Sequence, residues 1–236
     1  MNKIVKQWII DAFSKAAAYS SAGNLLIDLQ DYETRKKGSF QAAQICADFS
    51  QNLRKHGIKN LWVGMPFVKA PWQRYTLSEF LNSQSTDRVD LFKIAKPSEN
   101  EFIYIKQGFD AFSEEGPLHD DTKNFDLLFA CGLNAMACLP HSVIGALRST
   151  KANIIVLKDG TNGNPDISVE EHKRVILSFA SEEERTAFSK RLMVSDTKTV
   201  KQILEEINQP PVSQHHKDHQ PPPQPHPHHR LPPSHE

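Results

Sequence analysis

The chain has 236 residues, with 28 Lys and Arg balanced by 28 Asp and Glu, 39% hydrophobic residues and a mean hydropathy of −0.50. A neutral chain offers no long-range field to phosphate backbones or anionic lipid, which argues against nucleic acid and membrane surfaces as partners. No apolar run approaches the roughly 18 residues of a membrane span, and Met1–Gly23 reads as an amphipathic helix, not a signal segment, so a cytoplasmic location is expected. Three cysteines, Cys46, Cys131 and Cys138, cannot all pair, and no CxxC or Cys/His finger spacing occurs. Free thiols in a reducing compartment are the simpler reading.

Ile4, Trp8, Ile9, Phe13 and Ala17 recur at helical spacing, predicting a helix over 2–19. NLLIDL (24–29) reads as a buried strand ending in an acid, Asp28. A helix over 39–56 carries Cys46 on its inner face and stops at Gly57. NLWVGM (60–65) is a second strand. Residues 67–100 give only a short helix near 77–81. FIYIK (102–106) is a strand ending in a cation, Lys106, and FDLLFAC (125–131) is another. A helix over 140–148 follows, then the strand NIIVLK (153–158) and a Gly-rich loop over 160–165. Helices at 169–179 and 182–191, a short strand at 192–194 and a helix at 197–207 complete the pattern. Alternating strands and helices predict an α/β domain over 1–208, with six strands in a parallel sheet covered on both faces.

The last 28 residues, 209–236, hold nine Pro and seven His and almost nothing apolar. They cannot fold by burial and read as a disordered tail, solvated or binding metal ions weakly or a Pro-binding partner.

In an open parallel sheet, ligands bind beyond the carboxyl ends of the strands. Asp28, Lys106 and Cys138 fall at such ends. An acid, a cation and a thiol gathered there suit nucleophilic catalysis. Each also has an ordinary structural alternative: Asp28 as a cap, Lys106 as a solvated strand end, Cys138 as a small buried hydrophobe. Cys46 and Cys131 read as core. Cys138 stands apart because it lies just before Pro140, at a helix start, where unpaired N–H groups and the helix dipole favour the thiolate. Its pKa is therefore expected to be low.

These residues and their flanks resemble the isochorismatase-like cysteine hydrolases, a superfamily that includes nicotinamidases, ureidoacrylate and carbamoylsarcosine amidohydrolases, and isochorismatase. LLIDLQD resembles the family's opening strand, IKQGFDAF (105–112) its strand-end lysine, and CGLNAMACL (131–139) its Gly with a nucleophilic Cys six positions on. VLKDG resembles the strand carrying a later acid, at Asp159. The resemblance spans about Asn24 to Ile207. It implies a three-layer α/β/α fold, a catalytic Asp28–Lys106–Cys138 triad, a cis peptide at Leu133–Asn134 and an oxyanion hole from the N–H groups of Asn134 and Cys138. Hydrolysis of a small amide, ureide or carbamoyl substrate through a thioester follows, with no cofactor and a homodimer or tetramer as the assembly.

Two departures are visible. Ala135 and Met136 stand where the family usually carries Thr or Ser and then Asp. The second-strand loop, GMPFVKAPWQRY, lacks the Asp-x-His pair with which nicotinamidases hold a metal; no metal is expected. His119 with Asp120 and Asp121 can also be read as ligands, and a solvated loop is the plainer reading of them. Tyr32, Trp72 and Phe112 are candidates to line the substrate pocket. Two other functions fit the same resemblance: a catalytically inactive binding module and a vinyl-ether hydrolase of the isochorismatase type.

Overall fold

The computed structural model describes residues 2–14, 21–30, 38–65, 73–82, 94, 96–113, 116–164 and 166–208. Tyr32, Trp72 and the His/Pro-rich tail lie outside the described residues. In chain order the elements are α1 (Asn2–Ser14), β1 (Ala22–Ile27), α2 (Ser39–Lys55), β2 (Lys59–Gly64), β3 (Gln73–Thr76), α3 (Leu77–Asn82), β4 (Phe102–Ile105), α4 (Pro117–Thr122), β5 (Leu127–Gly132), α5 (Cys138–Ser149), β6 (Asn153–Thr161), α6 (Val169–Leu177), α7 (Glu182–Ser189), β7 (Leu192–Ser195) and α8 (Thr197–Asn208).

One sheet runs in the order β3-β4-β2-β1-β5-β6-β7. Six of its strands are parallel, as the alternating pattern predicts. The sheet has a seventh strand, β3, antiparallel to β4. Four residues, Gln-Arg-Tyr-Thr, pairing on one side only and half exposed, carry no apolar period; that is why the sequence pattern misses it.

Period-2 alternation sends β1 side chains to both faces. Leu26 belongs to the core layer that holds Val5 and Ile9 of α1, Phe49 of α2 and Val200 and Leu204 of α8. Leu25 and Ile27 belong to the layer on the other face, with Val143 and Leu147 of α5, Ile176 of α6 and Phe188 of α7. The result is the expected three-layer α/β/α arrangement. Among the described residues, no helix is long and apolar enough to cross a membrane.

Helix starts follow local chemistry. Ser168 caps α6 by accepting from Glu171 N–H, and Ser181 with Glu184 forms a capping box on α7. Asp159 accepts from the Thr197 N–H (3.0 Å) and hydroxyl (2.6 Å), tying β6 to the start of α8.

A buried hub lies beside β2 and β4. The Glu101 carboxylate accepts from Arg54 (2.7 Å twice), Asn60 (2.6 Å), Trp62 Nε1 (2.8 Å) and Ser98 N–H (2.9 Å). Burial pushes its carboxyl upward, but the Arg54, Asn60, Ser98 and Trp62 donors outweigh that and hold it below the usual range. A carboxyl depressed in the fold contributes stability above its unfolded pKa that is lost as pH falls through the folded value. Glu101→Ala strands several buried donors and should cost about 2–4 kcal/mol at neutral pH. Urea midpoints should show the gap to wild type narrowing in acid; a pH-independent gap would contradict this account.

Candidate active site

β1 lies at the switch in strand order, with β2 on one side and β5 on the other. Its carboxyl end meets that of β5 at very short range. A Cβ on Gly132 (φ +132°) would sit 2.1 Å from the Ile27 carbonyl oxygen, so the backbones can close only on glycine. Leu133 N–H donates to that same oxygen (2.8 Å). The chain then turns, and Asp28 (φ +53°) and Asn134 (φ +60°) both take left-handed conformations, which Asp and Asn tolerate better than most residues.

Asp28 and Lys106 are 1% and 0% exposed, and Lys106 Nζ donates to Asp28 Oδ2 at 3.2 Å. Lys106 follows β4, two strands from β1, and its long side chain spans the gap; its N–H is tied to Gly64 O (3.0 Å), and Nζ also donates to Phe109 O (3.3 Å). Asp28 Oδ1 is buried with no hydrogen-bond partner among the described residues. The ion pair is thus matched on one carboxylate oxygen and open on the other.

Cys138 is the first residue of α5, two residues earlier than the pattern around Pro140 suggests. Its side chain is 1% exposed. Met65 Sδ lies 3.9 Å from the sulfur, held in place by two bonds between Gln30 and the Met65 backbone (2.9 Å each). The amide of Asn134 lies 3.8 Å from the sulfur and 3.5 Å from Asp28 Oδ2. The expected low thiol pKa is corrected by the structure: burial first, and then the Asp28 carboxylate, push the Cys138 thiol up to about 11, against the downward pull of Lys106. The helix start is real, but desolvation and a neighbouring anion outweigh it. Below that value the thiolate fraction grows about tenfold per pH unit. Iodoacetamide labelling of Cys138 should therefore be slow near neutrality and climb steeply toward high pH; rapid labelling that plateaus below about pH 8 would contradict this. Cys46 and Cys131 are fully buried in the opposite layer, where Cys46 donates to Gly160 O (3.1 Å).

The expected cis bond at Leu133–Asn134 is also corrected: among the described residues no peptide is cis. The turn is made instead by the positive φ of Gly132 and Asn134. Asn134 O accepts from Ala137 N–H (2.9 Å) and Leu139 N–H (3.3 Å), while its own N–H and that of Cys138 meet no acceptor among the described residues. Ala135 N–H donates to Asn162 Oδ1 (3.0 Å), and Asn162 Nδ2 donates to Ser39 Oγ (3.2 Å) at the start of α2. This strap exists because β6 continues through Gly160, expected to be loop, and pairs Thr161 with Gly132.

Phe112, expected at the pocket, is buried in the same α5-side cluster as Cys138, with Tyr104, Leu118 and Ala111. Other expected residues go elsewhere. Asp159 caps α8 and is not brought to the triad. Asp121 binds Arg74 (2.9 Å) and the Tyr104 hydroxyl (2.7 Å), and Asp120 binds Lys123 (3.2 Å). Among the described residues, no group of three His, Cys, Asp or Glu side chains is placed to hold a metal ion. The neighbours that sequence reasoning missed are Gln30, Met65, Asn162 and the side chain of Asn134. Gln30 and Asn134 stood inside the motifs quoted above, but nothing local says where an amide will point.

No protein-family model matches the chain, and no curated protein matches it by sequence. Solved structures do. N-carbamoylsarcosine amidase from Thermoplasma acidophilum superposes with a TM-score of 0.55 at 13% identity, over 75% of this chain and 96% of that one. A cysteine hydrolase from Pseudomonas syringae pv. phaseolicola 1448A gives 0.56 at 15% identity, over 80% and 94%. An isochorismatase-like hydrolase from Alkaliphilus metalliredigens gives 0.56 at 16% identity, over 78% and 99%. The chain therefore has the isochorismatase-like fold.

Proposed function

We propose that this chain is a cysteine hydrolase of small non-peptide amides, ureides or carbamoyl compounds, with Cys138 as nucleophile, Asp28 as general acid and base, and Lys106 as the group that holds Asp28. The observation that carries this reading is the buried Lys106–Asp28 pair, whose Oδ2 shares the Asn134 amide with a thiol at a helix start. The amidase and hydrolase names of the structural neighbours agree with it.

The raised thiol pKa makes a resting thiolate unsuitable as the starting species. The thiol proton passes to Asp28 as sulfur bonds to the substrate carbonyl carbon. The N–H groups of Asn134 and Cys138 receive the oxyanion; one such donor is typically worth 10²–10³ in rate. Asp28 returns the proton to the nitrogen as the C–N bond breaks, releasing the amine and leaving a thioester. Asp28 then takes a proton from water as the water oxygen bonds to the acyl carbon. The C–S bond breaks, the acid leaves, and the proton on Asp28 returns to sulfur. The balance is one water consumed per amide cleaved.

A second reading, a non-catalytic binding module of the same fold, is favoured by the covered sulfur and by Ala135 and Met136 at the turn. A screen of small amides and ureides for ammonia release, run beside Cys138→Ala, separates the two. Ammonia release that disappears in Cys138→Ala supports catalysis. Equal rates in the two proteins would remove the triad from the reaction, and no release across the screen would favour the module.

A further inference from the structure

The Asn134 side chain touches both members of the proposed proton transfer. Its nitrogen Nδ2 lies 3.5 Å from Asp28 Oδ2 and 3.8 Å from Cys138 Sγ. The Asp28 carboxylate only accepts hydrogen bonds, so the NH2 end faces it, and the sulfur beside it can accept from the same nitrogen. The contacts are long for hydrogen bonds, as catalytic contacts often are before substrate binds.

Two further facts make the amide more than a passive neighbour. Asp28 Oδ2 now has two donors, Lys106 and Asn134, whereas Oδ1 has none among the described residues. Two donors on one oxygen fix the orientation of the carboxylate. The backbone that carries the amide is also pinned. Asn134 O accepts from two N–H groups at the start of α5, and the next residue, Ala135, is strapped by Asn162 to α2. A donor held this way needs little reorganisation when charge develops on sulfur.

We propose that the Asn134 side-chain amide is a catalytic hydrogen-bond donor in this site, holding the Asp28 carboxylate in place as it takes the thiol proton and then bonding the sulfur as it becomes a thiolate. This rests on the cysteine-hydrolase reading given above. It assigns Asn134 a role through its side chain that is separate from the N–H in the oxyanion hole. Asp28 and Lys106 are the charged groups acting on the thiol; the amide adds a neutral donor between them.

The test needs no known substrate. In the full chain, Asn134→Gly removes the amide and keeps the left-handed backbone, while Asn134→Asp keeps the shape and replaces the donor with an acceptor. The rate of iodoacetamide labelling at Cys138 is measured against pH for wild type and both variants, beside the melting temperature. A hydrogen bond to a charged group is worth about 1.5–3 kcal/mol, a factor of roughly 10–150. Asn134→Gly should label at least about tenfold more slowly at about pH 8, and Asn134→Asp more slowly again, with melting little changed. With a substrate from the screen, kcat should fall by a similar factor while KM holds. Wild-type labelling in both variants overturns the proposal; should the Gly variant fail to fold, the near-isosteric Asp variant decides alone. Turnover that survives in Cys138→Ala would instead sink the hydrolase reading and leave the labelling result standing.

Discussion

Lys106→Met is expected to lower the free energy of unfolding by about 3–5 kcal/mol at neutral pH. The substitution keeps the apolar stem, so little packing is lost. What is lost is the partner of a carboxylate that is itself 1% exposed and has one oxygen unmatched among the described residues. The Asn134 amide at 3.5 Å would remain, and a neutral donor does not replace an ammonium. The deficit should shrink in the double variant Lys106→Met/Asp28→Asn, because no charge is then left behind. Urea unfolding of the two variants measures this. A single-variant loss below about 1 kcal/mol, or no recovery in the double variant, would mean that the pair is not the buried ionic contact described above.

Cys138→Ala is expected to remove essentially all turnover, by about 10³-fold or more, while leaving the fold intact. The sulfur fills a small space at the start of α5, and its loss should cost about 1 kcal/mol, far less than the ion pair. Asp28→Asn should be nearly as damaging to turnover, since an amide cannot take the thiol proton. The two variants differ in labelling: Asp28→Asn keeps the thiol and removes the anion that raises its pKa. Cys138 in Asp28→Asn should therefore react faster with iodoacetamide than in wild type at the same pH, while turning over less. Reactivity and catalysis moving in opposite directions would be hard to explain for a merely structural aspartate. Parallel loss of both would argue that Asp28 acts by holding the fold.

Much of the architecture was legible because period carries it. The apolar runs around Leu25, Val63, Phe129 and Ile155 are buried strands of one sheet, and the amphipathic stretches between them supply its covering helices. The positions of Asp28, Lys106 and Cys138 were legible for the same reason. Each follows a strand, and parallel strands end on one side. β3 was not legible, because an edge strand with one partner needs no apolar face. The extension of β6 through Gly160 was not legible either, because a segment as rich in Gly, Asn and Pro as 160–165 reads as a loop until a neighbouring strand accepts it.

The sequence by itself determined the order of strands and helices, and hence which ends carry an acid, a cation and a thiol, because burial of a periodic apolar pattern depends on the residues themselves. The tertiary structure alone decided that Asp159 caps a helix. It decided that the turn before Cys138 bends at Gly132 and Asn134, and that the Asn134 amide lies between carboxylate and sulfur. It also reversed the expected direction of the thiol pKa. Those outcomes depend on distances and dielectric between residues far apart in the chain. A helix start next to Cys138 is a local fact, whereas its burial and the carboxylate beside it come from β1, 110 residues earlier.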